Sequence, residues 1–199
     1  MRVGLDFDNT IVCYDQLFHK VALELGAIPA DLPQNKVLVR DHLRRIGQED
    51  VWTEMQGTVY GARMDEAEPY PGVIDALRQL KAAGVELFIV SHKTRTPFRG
   101  PAYDLHQAAR HWVETVLLDE GKPLVEPEHV FFRPTKSEKW QQIADCGCQI
   151  FIDDLPEILK AAEFPAAVRA VLFDPERHHQ DEGLETVTDW AQIPALVLG

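Results

Sequence analysis

Hydrophobic positions along the chain switch between a period of two and a period near 3.6, and the switches mark the elements. Val3 and Leu5 alternate as a short strand does, and that strand runs into Asp6, with Asn9-Thr10 behind it as turn formers. Three helical patterns follow. Leu17, Phe18, Val21 and Leu25 share one face, with Asp15 as the capping residue and Gly26 as the stop. Val39, Leu43 and Ile46 mark a helix over 36–46, set off from the first by Pro29 and Pro33. Val51, Trp52, Met55 and Val59 mark a third over 49–64, weakened by Gly57 and Gly61.

After the turn cluster Pro69-Tyr70-Pro71-Gly72, helix and strand alternate. Val73, Ile74, Leu77 and Leu80 form a helical face closed by Gly84, and the apolar run 85–90 is a strand ending at Ser91. Leu105, Ala108, Ala109, Trp112 and Val116 predict a helix over 102–118, and 129–132 a short strand. Pro134-Thr135 opens a helix that buries Trp140, Ile143 and Ala144 and stops at Gly147. The runs 149–152 and 169–173 are strands, the first entering Asp153-Asp154, and 188–198 reads as a closing helix disturbed by Pro194. Such alternation predicts a parallel sheet with right-handed crossovers.

Composition narrows the class. With 45% hydrophobic and 26% charged positions in 199 residues, the chain can bury a core without disulfide staples. No apolar run reaches membrane-spanning length, and the first residues enter a strand with no export-signal pattern. The expectation is therefore a cytoplasmic protein with no membrane partner. Cys13, Cys146 and Cys148 are too few and too uneven for a disulfide framework and are expected to be reduced and structural. A net charge of −12 disfavours a nucleic-acid polymer as partner. Oligomeric state is left open.

The candidate chemistry starts at Asp6 and Asp8. Both stand at the carboxyl end of a strand, where ligands bind in open α/β sheets, and two ionised carboxylates so close call for a cation or a proton between them. The run Asp6-Phe7-Asp8-Asn9-Thr10-Ile11 resembles the DxDx[TV] signature of the haloacid dehalogenase (HAD) superfamily. Further motifs of that family occur in order: Ser91 ending a hydrophobic strand, a lysine opening a helix (Lys139, with Lys136 as the alternate), and the acidic pair Asp153-Asp154 after a strand.

The resemblance implies an α/β fold, a HAD-like Rossmannoid three-layer sandwich with a parallel central sheet. Residues 1–14 and 69–199 would form the core, and 15–68 a small C1-type helical cap. It also implies a Mg²⁺ cofactor and a small phosphorylated metabolite as substrate. Asp6 would be nucleophile and metal ligand, Asp8 a ligand through its carbonyl and a general acid and base through its side chain, and Asp153 and Asp154 further ligands. Ser91 and Lys139 would bind the phosphoryl group, and His92, in the cationic run His92-Lys93-Thr94-Arg95 after Ser91, is a further candidate phosphate contact. Asp8 favours phosphoester hydrolysis over dehalogenation, because a leaving halide needs no proton. Phosphomutase-type transfer on a sugar phosphate and a non-catalytic HAD-fold binding protein are the alternatives.

Within the helical stretch, Arg40, Arg44, Arg45, Trp52 and Tyr60 are candidate substrate contacts. The cluster His178, His179, Asp181 and Glu182 reads as a solvated acidic loop rather than a metal site.

Overall fold

A computed structural model describes residues 1–179 and 182–199. In chain order the strands are β1 (Arg2–Leu5), β2 (Val12–Cys13), β3 (Glu68–Pro69), β4 (Glu86–His92), β5 (Leu118–Asp119), β6 (Lys122–Pro123), β7 (Val130–Arg133), β8 (Ile150–Asp153), β9 (Arg169–Phe173) and β10 (Glu185–Val187). The α-helices are α1 (Asp15–Glu24), α2 (Lys36–Arg45), α3 (Glu49–Gly57), α4 (Val73–Ala82), α5 (Leu105–Val116), α6 (Lys136–Asp145), α7 (Pro156–Leu159) and α8 (Ile193–Leu198). The chain divides into two compact units.

The first unit comprises Met1–Val12, Pro69–Lys93 and Val113–Gly199. Its sheet has six strands in the order β10-β9-β8-β1-β4-β7, with every neighbouring pair parallel. The chain builds outward from β1 to β4 and β7, then crosses to β8 on the other side of β1. That reversal opens a crevice at the carboxyl ends of β1, β4 and β8.

One sheet face buries Phe88, Val90, Phe151 and Leu172 with Ile143 of α6 and Leu159 of α7. Leu87, Ile89, Val3 and Leu5, at the alternate strand positions, are buried on the opposite face, where α4 packs on β4 and on α8. The sheet is thus flanked by helices as a HAD-like Rossmannoid α/β fold. Gly4 is required by close approach: a Cβ there would lie 2.5 Å from Phe151 Cδ2 and 2.9 Å from Cys148 Sγ.

The second unit comprises Cys13–Glu68 and Thr94–Trp112. The latter segment, which the resemblance places in the core, packs here through long-range contacts. Trp112 Nε1 donates to the Ala67 carbonyl at 2.8 Å, and Arg99 pairs with Asp50 at 2.9 Å. Gly61 lies so close to Tyr103 that a Cβ would fall 2.6 Å from the Tyr103 Cβ. The helix expected over 49–64 ends at Gly57 and continues as a π-helical turn, Thr58–Ala62, and a 3₁₀ turn, Met64–Glu66.

Local capping also differs from expectation. Asp15 does not cap α1; its carboxylate accepts from the Lys36 backbone N–H at 2.7 Å, at the start of α2. The helix expected over 102–118 stops at Val116, and the chain turns through the β5–β6 hairpin, with Glu120 and Gly121 both at positive φ. The closing helix expected over 188–198 is shortened to a 3₁₀ turn, Trp190–Gln192, followed by α8, with Pro194 in its first turn, where a missing N–H costs nothing. Strand β10, parallel to β9, precedes it. Among the described residues no helix is long and apolar enough to cross a membrane.

Candidate active site

Neighbouring strands in a sheet lie about 4.8 Å apart, so the carboxyl ends of β4, β1 and β8 bring three side-chain positions within reach of one small ligand. Asp6 follows β1, and its backbone N–H continues the ladder to the Ile152 carbonyl at 2.8 Å. Ser91 lies in β4, and Asp153 ends β8. All three are buried.

The turn after Asp6 is tight. Ile11 and Val12 backbone N–H groups both donate to the Phe7 carbonyl, at 3.1 and 3.0 Å, and Asn9 adopts φ +60, which asparagine tolerates better than most residues. Phe7 anchors the turn, buried with its ring edge-on to Phe132 at 5.3 Å.

Lys139 joins the two halves of the site. Thr135 closes a capping box with Glu138 at the start of α6, which fixes the first turn and aims Lys139 inward. The Lys139 Nζ lies 2.6 Å from Asp6 Oδ1 and 2.5 Å from Asp153 Oδ2, and the side chain is only 2% exposed. Lys136 is excluded from this role, since its ammonium pairs with exposed Glu157 at 2.7 Å. Of the two candidate lysines, it is Lys139 that reaches Asp6 and Asp153.

Asp154 is held by the Thr10 hydroxyl, which reaches Asp154 Oδ1 at 3.4 Å and Asp6 Oδ2 at 3.5 Å. It is Asp153 that accepts from the Leu155 backbone N–H ahead of α7, at 2.9 Å. Oxygens of Asp6, Asp153 and Asp154 lie within 4.8 Å of one another, a grouping able to hold a metal ion.

Charge is out of balance there. Burial pushes the Asp6 carboxyl up to about 6; Lys139 opposes that shift, while Asp153 and Asp8 add to it. Burial disfavours the Lys139 ammonium, yet Asp153 and Asp6 together outweigh it and hold the group above the usual lysine range. One ammonium faces three carboxylates, so the site favours a further cation.

Asp8 and His92 depart from the simplest expectation. Asp8 is paired through both oxygens with the Lys93 ammonium, at 2.9 and 2.7 Å, and Lys93 is buried with its Nζ 5.7 Å from the Phe7 ring centroid. His92 is exposed and its Nε2 lies 3.1 Å from the Pro134 carbonyl; burial of part of the ring pushes its pKa down. His92 thus lies on the opposite side of the strand from Ser91 and Lys93, because side chains alternate along β4. That alternation is the signal in the sequence that points to Lys93.

The candidate contacts in the second unit are occupied by that unit. Arg40 pairs with Asp41, Arg44 binds Glu49 through two nitrogens, and Arg45 approaches His42. Trp52 is buried and stacked on Phe18, whose ring also meets Tyr60 edge-on. In the acidic loop, His178 and His179 donate backbone N–H groups to the buried Asp174 carboxylate at 2.9 and 2.8 Å. Asp181 lies outside the described residues.

No family model matches the chain, and no curated protein does. Solved structures share its fold. A HAD family hydrolase from Deinococcus radiodurans R1, solved with bound phosphate and sodium, has a TM-score of 0.61 at 18% identity, over 98% of this chain and 94% of that one. A predicted phosphoglycolate phosphatase from Haemophilus somnus 129PT gives 0.59 at 17%, over 98% and 96%. A β-phosphoglucomutase from Pyrococcus sp. strain ST04 gives 0.58 at 12%, over 96% and 93%. The chain thus shares the HAD fold with these proteins, and a fold does not by itself assign a reaction.

Proposed function

We propose that this protein is a Mg²⁺-dependent phosphatase that hydrolyses a small phosphate monoester through an aspartyl-phosphate on Asp6. The observation that carries the reading is the Lys139 ammonium bridging Asp6 and Asp153 in a buried site, with Asp154 beside them and Ser91 on the next strand. Phosphoryl transfer depends on alignment and charge neutralisation more than on a strong base, and this constellation supplies both.

The donor set fits Mg²⁺. Carboxylate oxygens are the hard ligands that ion prefers, and few protein groups satisfy it. Asp6, Asp153 and Asp154 would hold it, and the resemblance adds the Asp8 backbone carbonyl. When bound, it neutralises the phosphoryl oxygens and the surplus of carboxylates.

The remaining steps belong to the chain's own groups. An Asp6 oxygen attacks phosphorus as the ester oxygen leaves, giving a mixed anhydride on Asp6. Lys139 and Ser91 bind the phosphoryl oxygens as they turn equatorial, and Lys139 keeps Asp6 ionised against its burial. Asp8, protonated when the substrate is bound, delivers that proton to the leaving oxygen, and the carboxylate so formed takes one from the water that cleaves the anhydride. Lys93 sets the direction in which the Asp8 carboxylate points.

The test is a panel of phosphorylated metabolites incubated with and without Mg²⁺, with Asp6→Asn in parallel. Phosphate release from one compound class by the parent alone is the expected result. Isomerisation of a sugar phosphate without release would assign the mutase reaction instead, and identical inactivity of parent and variant would leave a binding protein.

A further inference from the structure

Trp190 is separated from Asp6 by most of the chain, yet it is fully buried and its indole N–H donates to the Thr10 carbonyl at 2.9 Å. Thr10 is fully buried as well, and its hydroxyl is the group that reaches both Asp6 and Asp154. One residue thus receives a hydrogen bond on its backbone from the end of the chain and sets its single hydroxyl proton between two carboxylates of the site, at 3.5 and 3.4 Å.

The anchor is built to be rigid. Asp189 caps the 3₁₀ turn by accepting from the Ala191 N–H at 2.8 Å, which fixes the turn that carries Trp190. Phe173 lies against the indole with ring centroids 6.1 Å apart and meets Tyr70 edge-on at 5.0 Å. The Tyr70 backbone N–H in turn binds the Ile11 carbonyl at 2.9 Å. Consecutive carbonyls of the turn, at Thr10 and Ile11, are therefore held from two separate segments. Gly72, at φ +86, lets the chain pass the indole: a Cβ there would lie 3.3 Å from the Trp190 Cβ.

We infer that Trp190 is a positioning residue for the metal and phosphoryl site, acting through Thr10 on the orientation of Asp6 and Asp154. The inference rests on the reading of Asp6, Asp153 and Asp154 as a Mg²⁺ site. Groups that orient metal ligands through one intervening hydrogen bond change metal affinity by about 10–100-fold when removed. Because the indole acts one bond further out, the low end, about tenfold, is expected.

The experiment compares Trp190→Phe with Trp112→Phe. Trp112 is equally buried and donates an equivalent indole bond to the Ala67 carbonyl, but that bond leads to no residue of the site. Both variants lose one buried hydrogen bond and are expected to lose similar stability in urea. Mg²⁺ binding by calorimetry then separates them: about tenfold weaker for Trp190→Phe and unchanged for Trp112→Phe. On a phosphate monoester that the parent hydrolyses, Trp190→Phe lowers kcat at saturating Mg²⁺ with KM little changed.

A measurement on the unaltered protein guards against a variant that does not fold. The Trp190 indole N–H resonance is expected to shift on titration with Mg²⁺, and that of Trp112 to stay in place. Parent-like Mg²⁺ affinity in Trp190→Phe, equal losses in both variants, or a Trp190 resonance indifferent to Mg²⁺ overturns the inference. A parent that binds no Mg²⁺ overturns the reading of the site and this inference with it.

Discussion

Replacing Lys139 with methionine keeps the length and apolar stem of the side chain and removes its charge. In the native site the ammonium stands 2.6 Å from Asp6 and 2.5 Å from Asp153. At an effective dielectric constant of about 20 each contact is worth about 6 kcal/mol of Coulomb attraction, most of it cancelled by the cost of drying the charges. What the substitution exposes is the penalty for buried carboxylates left unpaired, about 3–5 kcal/mol. For a chain of this length that corresponds to a fall in Tm of roughly 6–20 °C.

The sign with pH follows from the Asp6 carboxyl, already raised to about 6 with Lys139 in place. Without the ammonium it rises further, so the folded state binds protons that the unfolded chain has released. Stability then falls as pH rises. The deficit in metal-free Lys139→Met is therefore smallest below pH 6, where Asp6 is protonated in both folded proteins, and grows as pH rises above 6. Urea unfolding and thermal melts at pH 7 and pH 5, with and without Mg²⁺, read it out. Lys136→Met, which removes only an exposed pair, is the reference and should cost less than about 1 kcal/mol. A Lys139→Met protein no less stable than Lys136→Met, or a deficit that grows toward acid, refutes the reasoning.

Other outcomes follow from the same geometry. Mg²⁺ affinity should rise with pH through about 6, because Asp6 must release its proton to bind the ion, and calorimetry giving a flat profile from pH 5 to 7 contradicts this. Lys93→Met removes the ammonium paired with both Asp8 oxygens, so kcat should drop about tenfold or more on an alkyl phosphate, whose leaving oxygen needs a proton. The drop should be far smaller on nitrophenyl phosphate, and equal losses on both substrates would remove Asp8 orientation as the role of Lys93. Gly4→Ala forces a Cβ against Phe151 and Cys148 and should cost about 1–3 kcal/mol in urea unfolding, a neutral result being the contrary one.

The sheet and its central acids were legible because they are local patterns. Short apolar runs ending in Asp6, Ser91 and Asp153 announce strands and their carboxyl ends together, and parallel crossovers then fix which ends are neighbours. Spacing to Asp153 favours Lys139 and leaves Lys136 as the alternate, since both open the same helix. The capping box at Thr135 and Glu138 sets the phase that turns one inward and leaves the other with Glu157. His92 is read from the cationic run after Ser91, and the two-residue alternation along β4 places Lys93, not His92, on the side of Ser91. The β5–β6 hairpin had a readable turn in Asp119-Glu120-Gly121, masked by the helical pattern before it. The assignment of Thr94–Trp112 to the second unit depends on contacts such as Gly61 with Tyr103, and no local pattern records them.

The central claim is that Asp6 carries the phosphoryl group during turnover. The direct measurement is an acid quench of the Mg²⁺-loaded protein during hydrolysis of a monoester, followed by borohydride reduction and mass spectrometry of the peptide containing residues 1–14. Reduction of an acyl phosphate converts the aspartate to homoserine, and the account predicts that conversion at Asp6 and at no other carboxylate. Steady turnover with Asp6 recovered unmodified at every quench time, or with the homoserine at Asp8, contradicts it.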